Sequence, residues 1–451
     1  MSKIPKEFKP HGYQTDAMDW LTESKGGSAL FLDMGLGKTC AVLMAFKKLK
    51  AEGKAKSMLV VAPVNVAEVT WPHEINKWID FIGLTYSVVH GPNKEKALRK
   101  KADIYITNYE SIIWLYKQSW KATDIIVFDE LTRMKNWSAL RVKAIKNYLP
   151  LYRYRWGLTG TPVPNGLVDI FSQVYMLDLG ERFGTKVTRF RDMYFSQPTK
   201  WQHKRLPFKG TAEIIYKKLE SLAFRAKASD WITLPEEIHN PILLPFPDEL
   251  KATYAELKKE FIIRLKSQVI TAGCAAALST KLRQLLSGNI YNADKEAIFV
   301  HHYKLKALQD FITDCDGKPV LVAYQYRHEV EMFKSHFKTA SFIETSTSPA
   351  SIRRIISDWN DGKIPILFGN PAAIGHGLNL QGGGNTVLFY SLDFNLENYL
   401  QFIKRVARQG QEAATVIIHY LVFENTIDEF ILEILQGKND VQNGLLDYLE
   451  S

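Results

Sequence analysis

Short runs of β-branched and aromatic residues alternate with amphipathic stretches along most of this chain, the pattern of parallel sheets joined by crossover helices. The runs fall into two series. The first places strands at residues 29–32, 58–62, 104–107, 125–129 and 156–159, and the second at 320–323, 341–344, 365–368, 387–390 and 416–421. Between the series, over 180–302, the strand signal fades. Long basic, helix-compatible segments take over there, interrupted by Pro235, Pro241, Pro245 and Pro247. Proline keeps a chain extended and gives a sheet no N–H donor, so residues 236–247 read as a connector between two lobes rather than another core strand. Gly382–Gly384 read as a flexible turn before a strand. There is no repeat of fixed period and no low-complexity tail.

Composition narrows this only a little. A chain of 451 residues is long enough for roughly two to four domains. Its 46% hydrophobic and 24% charged residues are those of a globular enzyme, without choosing a fold class. Lys and Arg number 58 against 48 Asp and Glu, and the net charge of +10 favours a polyanionic partner. Cys40, Cys274 and Cys315 are far apart and form no C-x-x-C or Cys/His cluster. That argues for a reducing compartment and against a structural zinc site. The N-terminus M-S-K-I-P-K-E-F-K-P has no apolar core, and no uninterrupted apolar stretch approaches the ~18 residues of a membrane span. Neither secretion by that route nor membrane insertion is expected.

The candidate chemistry begins at F-L-D-M-G-L-G-K-T, residues 31–39, which follows an apolar strand and opens a helical stretch at 39–49. Glycines let backbone N–H groups turn inward around phosphate oxygens, and the helix N-terminus adds its positive end. Lys38 would then reach the β and γ phosphates, and Thr39 would hold magnesium. Leu32 stands where the common loop has its first glycine, leaving Gly35, Gly37, Lys38 and Thr39, a shorter pattern found in helicase-type motors. Asp129 ends the apolar run 125–128 and is followed by Glu130. A carboxylate at the end of a buried strand beside a phosphate loop suits magnesium, and its neighbour suits the orientation and deprotonation of an attacking water.

The run V-F-D-E-L-T-R-M-K-N, residues 127–136, resembles the D-E-x-H box and R-x-K-N tail of the Swi/Snf-type ATPases, a branch of the superfamily-two helicases. Other segments resemble the family in order and type. H-G-Y-Q-T-D-A-M-D-W-L is similar to its adenine-reading segment, with Gln14 at the base edge. L-V-V-A-P-V-N-V-A-E-V-T-W-P-H-E-I-N-K-W resembles the second motif and is followed by I-T-N-Y-E, while G-L-T-G-T-P-V-P-N resembles the third. L-A-F-R-A-K-A-S-D, with Leu234 and Pro235, and K-L-R-Q-L-L are similar to landmarks of the middle region. A-I-G-H-G-L-N-L-Q, containing Ile374, resembles the fifth motif, and Q-F-I-K-R-V-A-R-Q-G-Q the sixth. The likeness runs from about residue 8 to about 437, with Thr132 where the family usually has His. A hydroxyl can also donate and accept a hydrogen bond, with shorter reach.

The resemblance implies an α/β fold of two tandem RecA-like parallel-sheet lobes with a helical region between them. Residues 1–180 would form the ATP-binding lobe, 181–240 its helical protrusion, 241–300 the protrusion and linker of the second lobe, and 301–451 that C-terminal lobe. It implies a DNA-dependent ATPase using ATP and Mg2+, a translocase that remodels DNA or protein–DNA complexes. A strand-separating DNA or RNA helicase and a non-hydrolysing ATP-gated clamp are the alternatives. Catalysis would fall to Lys38, Asp129, Glu130, Arg405 and Arg408, the two arginines being fingers three apart on one face of a predicted helix. ATP binding would involve Gln14, Gly35, Gly37, Lys38, Thr39 and Gly377, and metal binding Thr39 and Asp129. Coupling to DNA would use Thr132, Thr159, Gly160, Thr161, Gln401 and Gln411.

Sequence-independent double-stranded DNA is the expected partner, met through Pro63, Thr107, Asn108, Arg189, Lys204 and Arg205. In the middle region Lys186, Arg189, Arg191, Lys200, Lys204, Arg205 and Lys209 interleave with Phe190, Tyr194, Phe195, Trp201 and Phe208. Cations would meet phosphates while the aromatics either stack on bases or form the protrusion's own core. No zinc finger, histone reader or nuclease signature is present. The expectation is a bare, monomeric motor with protein partners of unknown identity. It would work in the cytoplasm of a prokaryotic or virus-infected prokaryotic cell, or in the nucleus of a eukaryotic one.

Overall fold

Strands whose residues are apolar without alternation must be covered on both faces, and the helices between them do the covering. In the computed structural model the described residues are 6–24, 26–33, 35–118, 120, 123–160, 167–197, 205–226, 230–231, 234–266, 279–374 and 378–437, with side chains in 261–266 excepted. The chain divides into two compact units, Met1–Thr233 and Leu234–Ser451.

The first unit is built on seven strands: β1 (Gly27–Leu32), β2 (Met58–Ala62), β3 (Tyr86–Val88), β4 (Ile104–Asn108), β5 (Ile125–Asp129), β6 (Tyr154–Thr159) and β7 (Ala223–Ala226). Among the described residues they form one parallel sheet in the order β3-β4-β2-β5-β6-β1-β7. Ile125, Ile126, Val127 and Phe128 of β5 are all fully buried, the mark of a central strand with helices on both faces. One face packs on the helix Ile170–Asp178 through Ile170, Phe171, Val174 and Leu177. Three helices position the candidate chemistry: α1 (Gly12–Glu23), α2 (Lys38–Ala51) and α3 (Trp71–Lys77). The ends of β1, β5 and β6 open at the C-terminal side of the sheet, where ligands of open parallel α/β sheets bind.

The second unit holds β8 (Glu236–Leu244), β9 (Asn289–Tyr291), β10 (Ala297–Phe299), β11 (Val320–Ala323), β12 (Ser341–Ile343), β13 (Ile366–Gly369), β14 (Thr386–Phe389) and β15 (Thr415–Phe423). β9 and β10 make a small antiparallel pair, and the others form a parallel sheet in the order β12-β13-β11-β14-β15-β8. The buried Lys304 and Asp428 pair at 2.6 Å beneath it, and Lys304 Nζ also donates to the carbonyl of Tyr390. Two parallel-sheet α/β lobes therefore stand where the two series of apolar runs placed them. Among the described residues no helix is long and apolar enough to cross a membrane.

One expectation is overturned. Residues 236–244 are not a connector but the edge strand β8, paired in register with the whole of β15. Glu236 N donates to Ala414 O and Leu244 O accepts from Glu424 N, so even-numbered residues of β8 turn their peptide groups toward β15. Pro241, an odd position, then faces the open edge, where its missing N–H costs the ladder nothing. The turn at Gly382–Gly384 is present before β14, and close packing governs it: a Cβ on Gly383 would come within 2.2 Å of the Trp359 indole.

Candidate active site

The phosphate loop is shaped by its glycines. Gly35 (φ 91°) and Gly37 (φ 67°) occupy left-handed backbone, and Gly37 caps α2, whose first residues are Lys38 and Thr39. Lys38 Nζ donates to the carbonyls of Leu32 (2.8 Å) and Asp33 (3.2 Å), which keeps the ammonium at the mouth of β1. Gln14 on α1 lies against this loop. Its Nε2 donates to Leu36 O at 3.2 Å and its Oε1 accepts from His11 N at 2.9 Å. A Cβ on Gly37 would come within 2.4 Å of that amide, so Gly37 is set both by its φ and by its neighbour.

The acidic pair stands two strands away from the phosphate loop, at the end of β5. The Asp129 Oδ2 accepts from Trp71 Nε1 at 2.8 Å. Burial pushes the carboxyl up to about 6; Glu130 adds to the rise, while the Trp71 hydrogen bond and the Lys38 charge oppose it. Glu130 adopts left-handed backbone (φ 66°), rare for a residue with a side chain. The phenol of Tyr109 steadies this turn by donating to Asp129 O (2.8 Å) and Glu130 O (3.0 Å). Burial holds that phenol well above its usual pKa, so it stays a donor. Glu130 Oε1 accepts from Thr132 Oγ1 at 2.8 Å and Thr159 Oγ1 at 3.1 Å, both threonines being buried. Gly160 follows at the end of β6, while Thr161 lies outside the described residues.

Thr39 and Asp129 offer a hydroxyl and a carboxylate, hard oxygen donors of the kind magnesium takes. Among the described residues no cluster of three or more His, Cys, Asp or Glu could hold a metal ion by itself.

In the second unit Arg405 and Arg408 differ from expectation in their setting. The helix Leu396–Ile403 ends before them, and the chain tightens into turns, with Arg405 N donating to Phe402 O and Arg408 N to Val406 O. The turns bring both side chains to adjacent residues all the same. Arg405 Nη1 donates to Leu378 O at 3.3 Å and its Nε to Gln401 O at 3.0 Å, while Arg408 Nη1 bonds Asn379 Oδ1. Gln401 is buried and donates to Glu397, and Gln411 Nε2 donates to Gly384 O at 2.9 Å. Gly377 lies outside the described residues.

The residues named for nucleic acid are dispersed. Pro63 follows β2, and Thr107 and Asn108 end β4; all three are buried. Thr107 Oγ1 donates to Val89 O, and Asn108 Nδ2 to Glu110. Arg189 and Lys209 are exposed, whereas Arg205 is paired with Asp192 at 2.9 Å. Phe190, Tyr194 and Phe195 belong to the core, so these aromatics pack rather than offer stacking platforms. Lys200, Trp201 and Lys204 lie outside the described residues. Trp71 and Tyr109, which hold the acidic pair, lie inside the segments that resemble the second motif and its I-T-N-Y-E successor, but sequence reasoning gave neither a role. The signal available is that a buried indole or phenol needs a polar partner.

Known proteins are similar to this chain in sequence. The family model of the SNF2-related domain matches residues 13–294, and that of the helicase conserved C-terminal domain matches 303–410. The chain is 35% identical to a protein of Acyrthosiphon pisum secondary endosymbiont phage 1, with 99% of each covered. At 25% identity it is similar to a Bacillus subtilis protein named as an ATP-dependent helicase/translocase, covering 98% of this chain and 50% of that one. At 25% identity it is also similar to an ISWI chromatin-remodeling complex ATPase of Saccharomyces cerevisiae, covering 93% and 39%. It thus spans half or less of those two longer relatives. The Sulfolobus solfataricus SWI2/SNF2 ATPase core in complex with dsDNA aligns with a TM-score of 0.46 and 22% identity, covering 99% of this chain and 95% of that one.

Proposed function

The chain belongs to the SNF2-related family of ATP-dependent, helicase-like motors, and on that premise we propose that it hydrolyses ATP to move along double-stranded DNA without reading its sequence. One observation carries the chemical half of this reading: Glu130, held by two threonine hydroxyls beside Asp129, stands at the end of β5, two strands from the phosphate loop.

In this reading the N-terminus of α2 and Lys38 bind the phosphates, and Gln14 braces the loop that carries them. Thr39 and Asp129 would hold magnesium, which would supply positive charge to the phosphates. Glu130 orients the attacking water through Oε2, the oxygen not engaged by Thr132 and Thr159. The water's proton passes to that carboxylate as its oxygen bonds to the γ phosphorus and the bond to ADP breaks. Arg405 and Arg408 are the arginines that neutralise the transferring phosphoryl group, a role worth about 10³–10⁵ in rate. Thr132 and Thr159 would sense nucleotide state because they share the catalytic carboxylate.

The DNA half rests on family membership and on a net charge of +10. Tracking a backbone requires phosphate contacts only, so exposed cations such as Arg189 and Lys209 suffice for binding without base readout. Phosphate release by the full chain, measured with duplex DNA, single-stranded DNA and RNA, tests the reading. Duplex should stimulate most. Stimulation by RNA alone, or by no nucleic acid, contradicts it.

A further inference from the structure

Trp71 occupies an unusual junction. It is the first residue of α3 and directly follows a single π turn, Val66–Thr70, closed by a bond from Trp71 N to Val66 O. Single π turns insert one residue into a helix and recur at functional sites. Since β2 neighbours β5, the segment leaving β2 comes back over the end of β5. There the indole, fully buried, donates to Asp129 Oδ2 at 2.8 Å. The other end of α3 is tied to the phosphate-loop helix. Glu74 Oε2 accepts from Cys40 Sγ (3.4 Å), the residue after Thr39, and from Trp78 Nε1 (2.7 Å). One short helix therefore touches the carboxylate at the end of β5 with its first residue and the neighbour of Thr39 with its fourth.

A carboxylate offers about four acceptor directions. The indole takes one of these at Oδ2, and directions remain for a cation. We propose that Trp71 is a positioning residue, whose indole N–H holds the Asp129 carboxylate in the orientation that takes the divalent cation. The inference rests on the proposed ATPase activity, and it concerns a donor that touches neither nucleotide nor metal.

The test uses the full chain and two substitutions. Trp71→Phe keeps an aromatic ring in the core and removes the donor to Asp129. Trp78→Phe removes the other indole donor at the end of the same helix, the one that reaches Glu74. Mn2+ binding to the ADP-bound protein, followed by electron paramagnetic resonance, gives the cation affinity directly, and the Mg2+ concentration for half-maximal turnover gives it in action. Loss of an orienting hydrogen bond to a metal ligand weakens metal affinity by about tenfold or more. Trp71→Phe should show that loss in both measurements, with turnover recovering at high Mg2+ and KM for ATP measured there near wild type. Trp78→Phe should bind the cation as wild type does.

A readout on unsubstituted protein guards against a variant that folds poorly. Of the ten tryptophan indole N–H signals in a 15N spectrum, one should move when Mg2+ is added to the ADP-bound chain. Unchanged cation affinity in Trp71→Phe, an equal loss in Trp78→Phe, or no indole signal that moves overturns the proposal. If the wild-type chain itself binds no Mn2+ with ADP and releases no phosphate, the ATPase reading fails first.

Discussion

At the scale of the residue, Glu130 combines two features that have to be explained together. Its left-handed backbone costs roughly 1–2 kcal/mol, and its side chain collects two buried hydroxyls. Strain of this kind persists where the surroundings over-determine it, here through Tyr109 on the turn and Thr132 and Thr159 on the carboxylate. Glu130→Gln should therefore keep nucleotide binding while phosphate release falls by about 10² or more; equilibrium nucleotide binding and steady-state turnover measured on one preparation check this. A second residue-scale prediction concerns pH. In the second unit burial lowers His301 and His328 to about 4, and burial raises Glu329 to about 7. The histidines bind protons more readily unfolded than folded, so their contribution to stability is present above about 6.5 and is lost as pH falls toward 4. Glu329 acts in reverse, because the folded state takes up its proton first, and it adds stability as pH falls from about 7 to 4.5. Glu329→Gln removes only the second contribution. Denaturation of the variant should show a steeper loss of stability between pH 7 and 5, by on the order of 1–3 kcal/mol relative to wild type, and parallel pH profiles would contradict this. Loop glycines, Lys38, Asp129 and Glu130 are legible in sequence because they sit at fixed short spacings. The Trp71 bond to Asp129 is not, because it spans 58 positions and obeys no period.

At the scale of the element, strands buried on both faces are readable and exposed ones are not. β2, β5 and β11 appear in sequence as apolar runs rich in Val and Ile and fold as strands. β8 has nine residues and none is fully buried, so its pattern carries little signal and its proline argues against it. Only knowing which way each peptide group faces removes the objection, and that requires the partner strand. The short β3 and β7 escape sequence reading because three or four residues set no periodicity. Likewise, the helix expected to carry Arg405 and Arg408 stops at Ile403, yet the turns that replace it still aim both side chains at Leu378 and Asn379. The edge-strand account makes a paired prediction. Pro241→Val adds an outward N–H and should leave the unfolding midpoint nearly unchanged, whereas Ile242→Pro removes an N–H facing β15 and should cost about 1–3 kcal/mol. Equal effects in a chemical denaturation series would mean that the facing of β8 has been misassigned.

At the scale of the whole molecule, Lys38, Thr39, Asp129 and Glu130 belong to the first unit and Arg405 and Arg408 to the second; the proposed function assigns a part in one turnover to residues of each. That division yields a sharp expectation for Arg408→Ala: nucleotide binding near wild type, with turnover reduced by about 10³ or more. Movement along duplex DNA is measured by displacement of a third strand from the duplex by the full chain, run beside strand separation on a forked duplex. ATP should drive the third strand off, Lys38→Ala should abolish this, and the fork should stay paired. Turnover of ATP with no displacement, or opening of the fork, would contradict the proposed function.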